Sequence, residues 1–178
     1  MHQVQGTTRD HPAWSLYNEM RTARLNVKCV QCEIAALWRY NRYMEIFIAC
    51  STSSSIAGFT FWKTVAGGYI WTAIGMLAVI ASVVKPILKL GEVIQRKEKH
   101  LTDLKVFEHD LKLIEIEVRH RKAYDDSLHK EFMKVMKRRG DLVRHDPGSV
   151  YLKAIKNRCH DEVLRELPDE EFYIPPQH

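Results

Sequence analysis

The sequence predicts an all-α membrane protein, a two-span transmembrane helical hairpin joined to long cytoplasmic helices that form a helical bundle or coiled coil. Three observations predict it. Two charge-free runs, 17 residues between Glu45 and Lys63 and 21 between Lys63 and Lys85, hold nearly all of the strongly apolar content. Aromatic residues gather at the ends of those runs, where Trp and Tyr favour a membrane interface. Outside them, apolar residues recur every three or four positions, the helical period. By its 178 residues, 28% charged and net charge of +5, the chain would pass for one soluble domain. The uneven placement of the charges overrides that average.

In chain order, residues 1–12 form an N-terminal segment in which Asp10 is a candidate N-cap and Pro12 suits a first helical turn. Residues 13–42 read as a cytoplasmic helix leading into the membrane, with Leu16, Met20, Ala23, Val27, Val30, Ile34 and Leu37 on one stripe. Residues 43–85 are the transmembrane hairpin, with spans at about 44–62 and 66–84. At about 1.5 Å per residue the run from Thr64 to Val84 reaches roughly 31 Å, which matches a hydrocarbon core of about 30 Å. The run from Ile46 to Trp62 reaches roughly 25 Å and is extended by Tyr43 and Met44, while Glu45 snorkels toward headgroups. Trp38, Tyr40 and Tyr43 mark one interface, and Phe61, Trp62, Tyr69 and Trp71 the other.

Basic residues set the orientation. Arg39 and Arg42 precede the first span and Lys85 and Lys89 follow the second, with Arg96, Lys97 and Lys99 beyond, against Lys63 at the bend. The positive-inside rule then places both termini in the cytoplasm as a multi-pass protein. No cleavable signal peptide is expected in the first 40 residues.

The stretch FWKTVAGGYIW, residues 61–71, contains the residue types of a carbonyl-lined potassium filter. A filter needs a re-entrant pore helix and an extended loop, on the order of 30 residues of protein-lined chain, and there is no room for one here. Ala66, Gly67 and Gly68 read instead as the hairpin turn. Within the spans, Ser51, Thr52, Ser54, Ser55, Gly58, Gly68, Thr72, Gly75 and Ser82 are the candidates for pore lining or span packing. Small residues let helices approach closely, and hydroxyls can replace part of an ion's hydration shell. Packing is the favoured use, because the same residues form interhelical hydrogen bonds in lipid.

Residues 86–140 continue an apolar stripe through Ile87, Leu90, Ile94, Leu101, Leu104, Phe107, Leu111, Ile114, Val118, Leu128, Phe132 and Val135, and Gly140 is a natural stop. A helix of that length must pack on its own N-terminal helix, on other subunits, or both. Lys97 falls at a seam position. In residues 141–178, Asp146, Pro147 and Gly148 make a turn, Ser149 is a candidate cap, a short helix ends before Pro168, and the tail with Pro175 and Pro176 reads as loose.

No constellation for chemistry stands out. Cys29 and Cys32 form a single CxxC whose second pair is missing, since Cys50 lies in a span and Cys159 is distant in sequence, so reduced thiols are expected and no metal. The histidines His100, His109, His120 and His129 rotate around a helix and read as solvated. Asp125 and Asp126 lack a metal-ligand partner. Lys137, Arg138 and Arg139 read as a solvated helix end, so no direct nucleic-acid partner is expected. No catalytic residue and no cofactor is expected, and the chain is not expected to be an enzyme.

The stretch MRTARLNVKCVQCEIAALWRYNRYMEIF, residues 20–47, followed by two closely spaced spans and a long charged helix, resembles the SLATT family of two-transmembrane effectors associated with bacterial nucleotide-signal defence systems. Thr22, Ala23 and Arg24 open the basic helix that carries the likeness, which covers roughly residues 15–140. The resemblance implies a bacterial inner-membrane effector of anti-phage defence that homo-oligomerises in lipid and forms a pore or disrupts the membrane when triggered. Residues 141–178 are too few to make a nucleotide pocket alone, so the trigger is expected from a sensor or nucleotide-signal partner in trans or from the cytoplasmic helices of an oligomer. The alternative is a non-conducting, membrane-anchored coiled-coil scaffold that recruits a partner.

Overall fold

A computed structural model describes residues 11–61, 65–145 and 153–175, with side chains described except at 51–68, 70, 71, 74, 85, 87, 153 and 154. Every regular element among them is helical: α1 Ala13–Phe61, α2 Val65–Leu88, α3 Leu90–Arg121, α4 Asp126–Arg144, α5 Lys153–Glu166 and a 3-10 turn at Asp169–Glu171. The all-helical class is therefore as expected. Among the described residues no helix is long and apolar enough to cross a membrane.

The long helix expected over 86–140 is broken twice. Lys89 and Lys122 both take positive φ, 44° and 54°, which ends α2 and α3 in the left-handed conformation typical of a helix C-terminus. After Lys122 the chain reverses, and Asp125 starts α4 as an N-cap: its carboxylate accepts from the Leu128 N–H and the Ser127 hydroxyl, both at 2.8 Å. Those bonds, the backbone N–H foremost, hold the Asp125 carboxyl below its ordinary range. Gly140 is not a stop, because α4 runs on to Arg144. The turn expected at Ala66, Gly67 and Gly68 is helical, since α2 starts at Val65; the link between α1 and α2 falls at 62–64, outside the described residues. Asp10, Asp146, Pro147, Gly148, Ser149 and Pro176 also lie outside them. The last helix does end before Pro168.

The chain divides into two compact units, residues 1–33 with 97–178 and residues 34–96, so the division falls inside α1 and inside α3. The first unit is a helical bundle. Its core joins Leu16, Tyr17, Met20 and Ala23 of α1, Phe107, Leu111, Ile114 and Val118 of α3, and Leu128 and Phe132 of α4. The stripe read along 86–140 thus finds its partner in the chain's own N-terminal helix. Pairing of Glu33 with Lys97 at 2.9 Å and of Arg24 with Glu108 at 3.2 Å sets α1 and α3 antiparallel. Lys97, odd at an apolar seam, is buried with that partner, as a buried cation must be.

As far as Pro175 the tail is not loose. Phe172, Tyr173 and Ile174 pack on the core and Pro175 is buried. Phe172 stacks on Tyr17 at 4.2 Å between ring centroids and lies under the Arg21 guanidinium at 4.9 Å. The Tyr17 hydroxyl donates to the Tyr173 carbonyl. Burial, then the nearby Glu115 carboxylate, push the Tyr17 phenol up to about 12, so it stays protonated and able to donate.

Candidate functional site

In residues 34–96, Ile34 and Ile94 are buried, but many of the described apolar side chains between them face outward. Met76, Leu77, Val79, Ile80 and Val83 of α2 are each more than half exposed, and Ile46 and Phe47 of α1 are exposed too. Trp38, Tyr40 and Tyr43 at one end of this belt, and Tyr69 at the start of α2, are exposed as well. Exposed apolar faces of this kind are candidates for a surface that meets another protein or a membrane. Pairing helices inside a bundle would bury them.

The candidate pore or packing residues divide by what is described. Ser51, Thr52, Ser54, Ser55 and Gly58 belong to α1 and Gly68 to α2, and their side-chain surroundings lie outside the described residues. Thr72 and Gly75 are exposed on α2, and a Cβ built at Gly75 would meet nothing within 4 Å. Among the described residues Gly75 is therefore no close-approach point. The Ser82 hydroxyl donates to the Val79 carbonyl of its own helix at 2.8 Å, the back-bond a serine makes in a helix interior. The basic margin is also local: Arg39 donates to the Ala35 carbonyl at 3.3 Å, Arg42 is exposed, and Lys89 pairs with Glu92 at 3.2 Å. Lys85 belongs to α2, with its side chain outside the described residues.

The first unit concentrates its charge in helix-to-helix ties. Lys28 meets Glu162 at 3.1 Å and Glu166 at 2.7 Å, Arg24 adds Glu166 at 3.0 Å, and Arg21 binds the Leu167 carbonyl and Asp169. These contacts zip α5 antiparallel along α1. Lys28 holds both Glu162 and Glu166 below the ordinary carboxylate range. Thr22, Ala23 and Arg24, which opened the family likeness, act here as structural joints: Thr22 bonds the Asn18 carbonyl at 2.9 Å, Ala23 is core, and Arg24 bridges α3 and α5.

Three groups read as solvated or isolated are neither. Arg138 pairs with Asp110 at 2.6 Å and Arg139 with Glu19 at 2.7 Å, so two members of the basic run tie α4 down while Lys137 stays exposed. His100 is buried, and with Thr22, Asn26, Leu104, Arg139 and Val143 it lines a cleft of about 130 Å³. Cys159 of α5 comes within 3.9 Å, sulfur to sulfur, of Cys32 in the CxxC of α1. Among the described residues no group of three His, Cys, Asp or Glu is arranged to hold a metal ion. Sequence spacing could not reveal the thiol cluster, because the pairing depends on how α5 docks; the 3–4 spacing of Arg21, Arg24 and Lys28 opposite Glu162, Glu166 and Asp169 was its readable trace.

No family model, no curated protein and no solved structure matches this chain.

Proposed function

We propose that this chain is a membrane effector of a bacterial anti-phage or nucleotide-signalling defence system, in which residues 43–85 insert as a hairpin and several copies assemble to permeabilise the inner membrane. The observation that carries the reading is the outward apolar face of α2, Met76, Leu77, Val79, Ile80 and Val83, on a 24-residue helix that would rise about 36 Å. Such a face is stable in lipid and costly in water. Supporting it are the charge-free sequence from Thr64 to Val84 and the basic residues Arg39, Arg42, Lys85 and Lys89 at its margins. The resemblance carried by residues 20–47 adds the defence context. Residues 62–64, and side chains on either side of them, lie outside the described residues, and there the two runs meet.

In this reading the bundle of residues 1–33 and 97–178 receives the signal from a partner in trans, and helix packing passes it to the hairpin. The open flank of Gly75 then serves contact between copies, where a small residue lets helices approach closely. Expression of Gly75→Leu should leave membrane insertion intact and abolish dye leakage and depolarisation. Unchanged leakage with normal insertion would sink the pore. Replacing 43–85 with an unrelated hairpin separates the rival reading, because a scaffold that only recruits a partner keeps its activity.

A further inference from the structure

We propose that Cys32 and Cys159 form a disulfide on exposure to hydrogen peroxide, and that this bond locks α5 onto α1. The inference is independent of what the hairpin does. Its geometry is already near that of a bond: the two sulfurs stand 3.9 Å apart, against about 2.05 Å in a disulfide. Cys32 is exposed on α1, whereas Cys29 and Cys159 are buried, so one thiol of the cluster is open to an oxidant and the thiol facing it is sheltered.

The roles follow from that asymmetry. Cys32, as thiolate, attacks one oxygen of the peroxide; an S–O bond forms, the O–O bond breaks, and the departing hydroxide takes up a proton to leave as water, giving the sulfenic acid. The Cys159 sulfur then attacks the Cys32 sulfur, the S–O bond breaks, and the hydroxide released takes the Cys159 proton as a second water. Each peroxide is reduced to two waters while two thiols are oxidised to one disulfide. Burial, then the neighbouring Cys29 and Cys32, raise the Cys159 thiol well above its ordinary range, so it stays protonated and does not itself meet the oxidant first; its place 3.9 Å from the Cys32 sulfur is what makes it the resolving thiol. Burial likewise raises Cys29.

The product would be a long-range tether. Residues 32 and 159 are 127 positions apart, and a crosslink over so long a loop restricts the unfolded chain strongly. It would fix α5 beside the Lys28, Glu162 and Glu166 ties and hold the tail segment with Phe172 on the core.

The test is peroxide treatment of the purified full chain in detergent, followed by alkylation, intact mass and peptide mapping without reductant. Expected are a mass lower by two hydrogens, one peptide linking Cys32 to Cys159, reversal by dithiothreitol, and a higher melting temperature in the oxidised sample. Cys32→Ser, at an exposed position, should abolish the link, and Cys29→Ser should keep it. A Cys29–Cys32 bond, a link between two chains, or Cys32 oxidised to sulfinic acid while Cys159 still alkylates would each overturn the proposal. Mapping of the unmodified chain decides the matter even where Cys159→Ser fails to fold.

Discussion

In the bundle of residues 1–33 and 97–178, Leu16, Leu111, Val118 and Leu128 bury their side chains completely, whereas in residues 34–96 Met76, Val79, Ile80 and Val83 turn more than half of theirs outward. Charge is divided the other way. The bundle carries the ties Lys28 to Glu166, Arg138 to Asp110 and Arg139 to Glu19, while the sequence between Lys63 and Lys85 carries no charge. The same residue types therefore serve opposite ends: apolar groups in the bundle exclude water from a core, and in α2 they are offered to whatever surrounds the molecule. Folding energy in the bundle comes from within the chain. Under the proposed function, in α2 it would come largely from the medium.

The largest effect that tests this contrast is truncation of a buried side chain against truncation of an exposed one. Leu111→Ala removes a fully buried group and should cost about 2–5 kcal/mol. Ile80→Ala, half exposed on α2, should change bundle stability by less than about 0.5 kcal/mol. Amide hydrogen exchange read separately over α3 and α4 would measure both. Equal losses from the two substitutions would erase the distinction.

How much of this was legible beforehand differs between the two units for physical reasons. Spacing of three and four identified Leu16, Met20, Ala23, Leu111, Ile114 and Phe132 as core, because a helix exposes its period in sequence. The breaks at Lys89 and Lys122 were not legible, since lysine gives no hint of a left-handed conformation that glycine usually supplies. Reversal after Lys122 turned one long stripe into two packed helices, and Asp125 looked like spare charge until it was seen to cap α4. Tertiary docking decided the rest. Phe172, His100 and Cys159 each look exposed or isolated in sequence and are placed by helices that close over them. In residues 43–85 the apolar pattern was plain, while the positions of Ser51, Thr52, Ser54, Ser55 and Gly58 on a helix do not by themselves say what those residues face.

A smaller effect uses pH and is read in the bundle. Glu162 and Glu166 are held below the ordinary range by Lys28, so the folded state binds fewer protons there than the unfolded one. Their contribution is complete above about pH 4.3 and is lost as pH falls through the lowered folded values. Lys28 is raised, first by its bond to Glu166, so its contribution is complete below about pH 10.4 and is lost as pH rises through the raised value. Exchange protection of α5 should accordingly hold a plateau between these limits and fall on both sides. Lys28→Met should flatten the acid limb; an unchanged acid limb would mean that other carboxylates control α5.

The smallest effect concerns a glycine in each unit. Gly140 lies inside α4, and a Cβ there would meet nothing within 4 Å, so Gly140→Ala gains helix propensity without a clash. A rise of about 0.5–1 kcal/mol in bundle stability is expected, read as the denaturation midpoint. Gly75 is equally open among the described residues. If α2 packs against other copies through that flank, Gly75→Ala should weaken assembly in detergent, read by crosslinking, because the methyl group holds the helices apart. The two substitutions are alike in chemistry and in the open space around each among the described residues, so opposite signs would point to a contact between copies. Two gains of the same sign would show that Gly75 is only an exposed helical position, and the proposed contact between copies at α2 would fail.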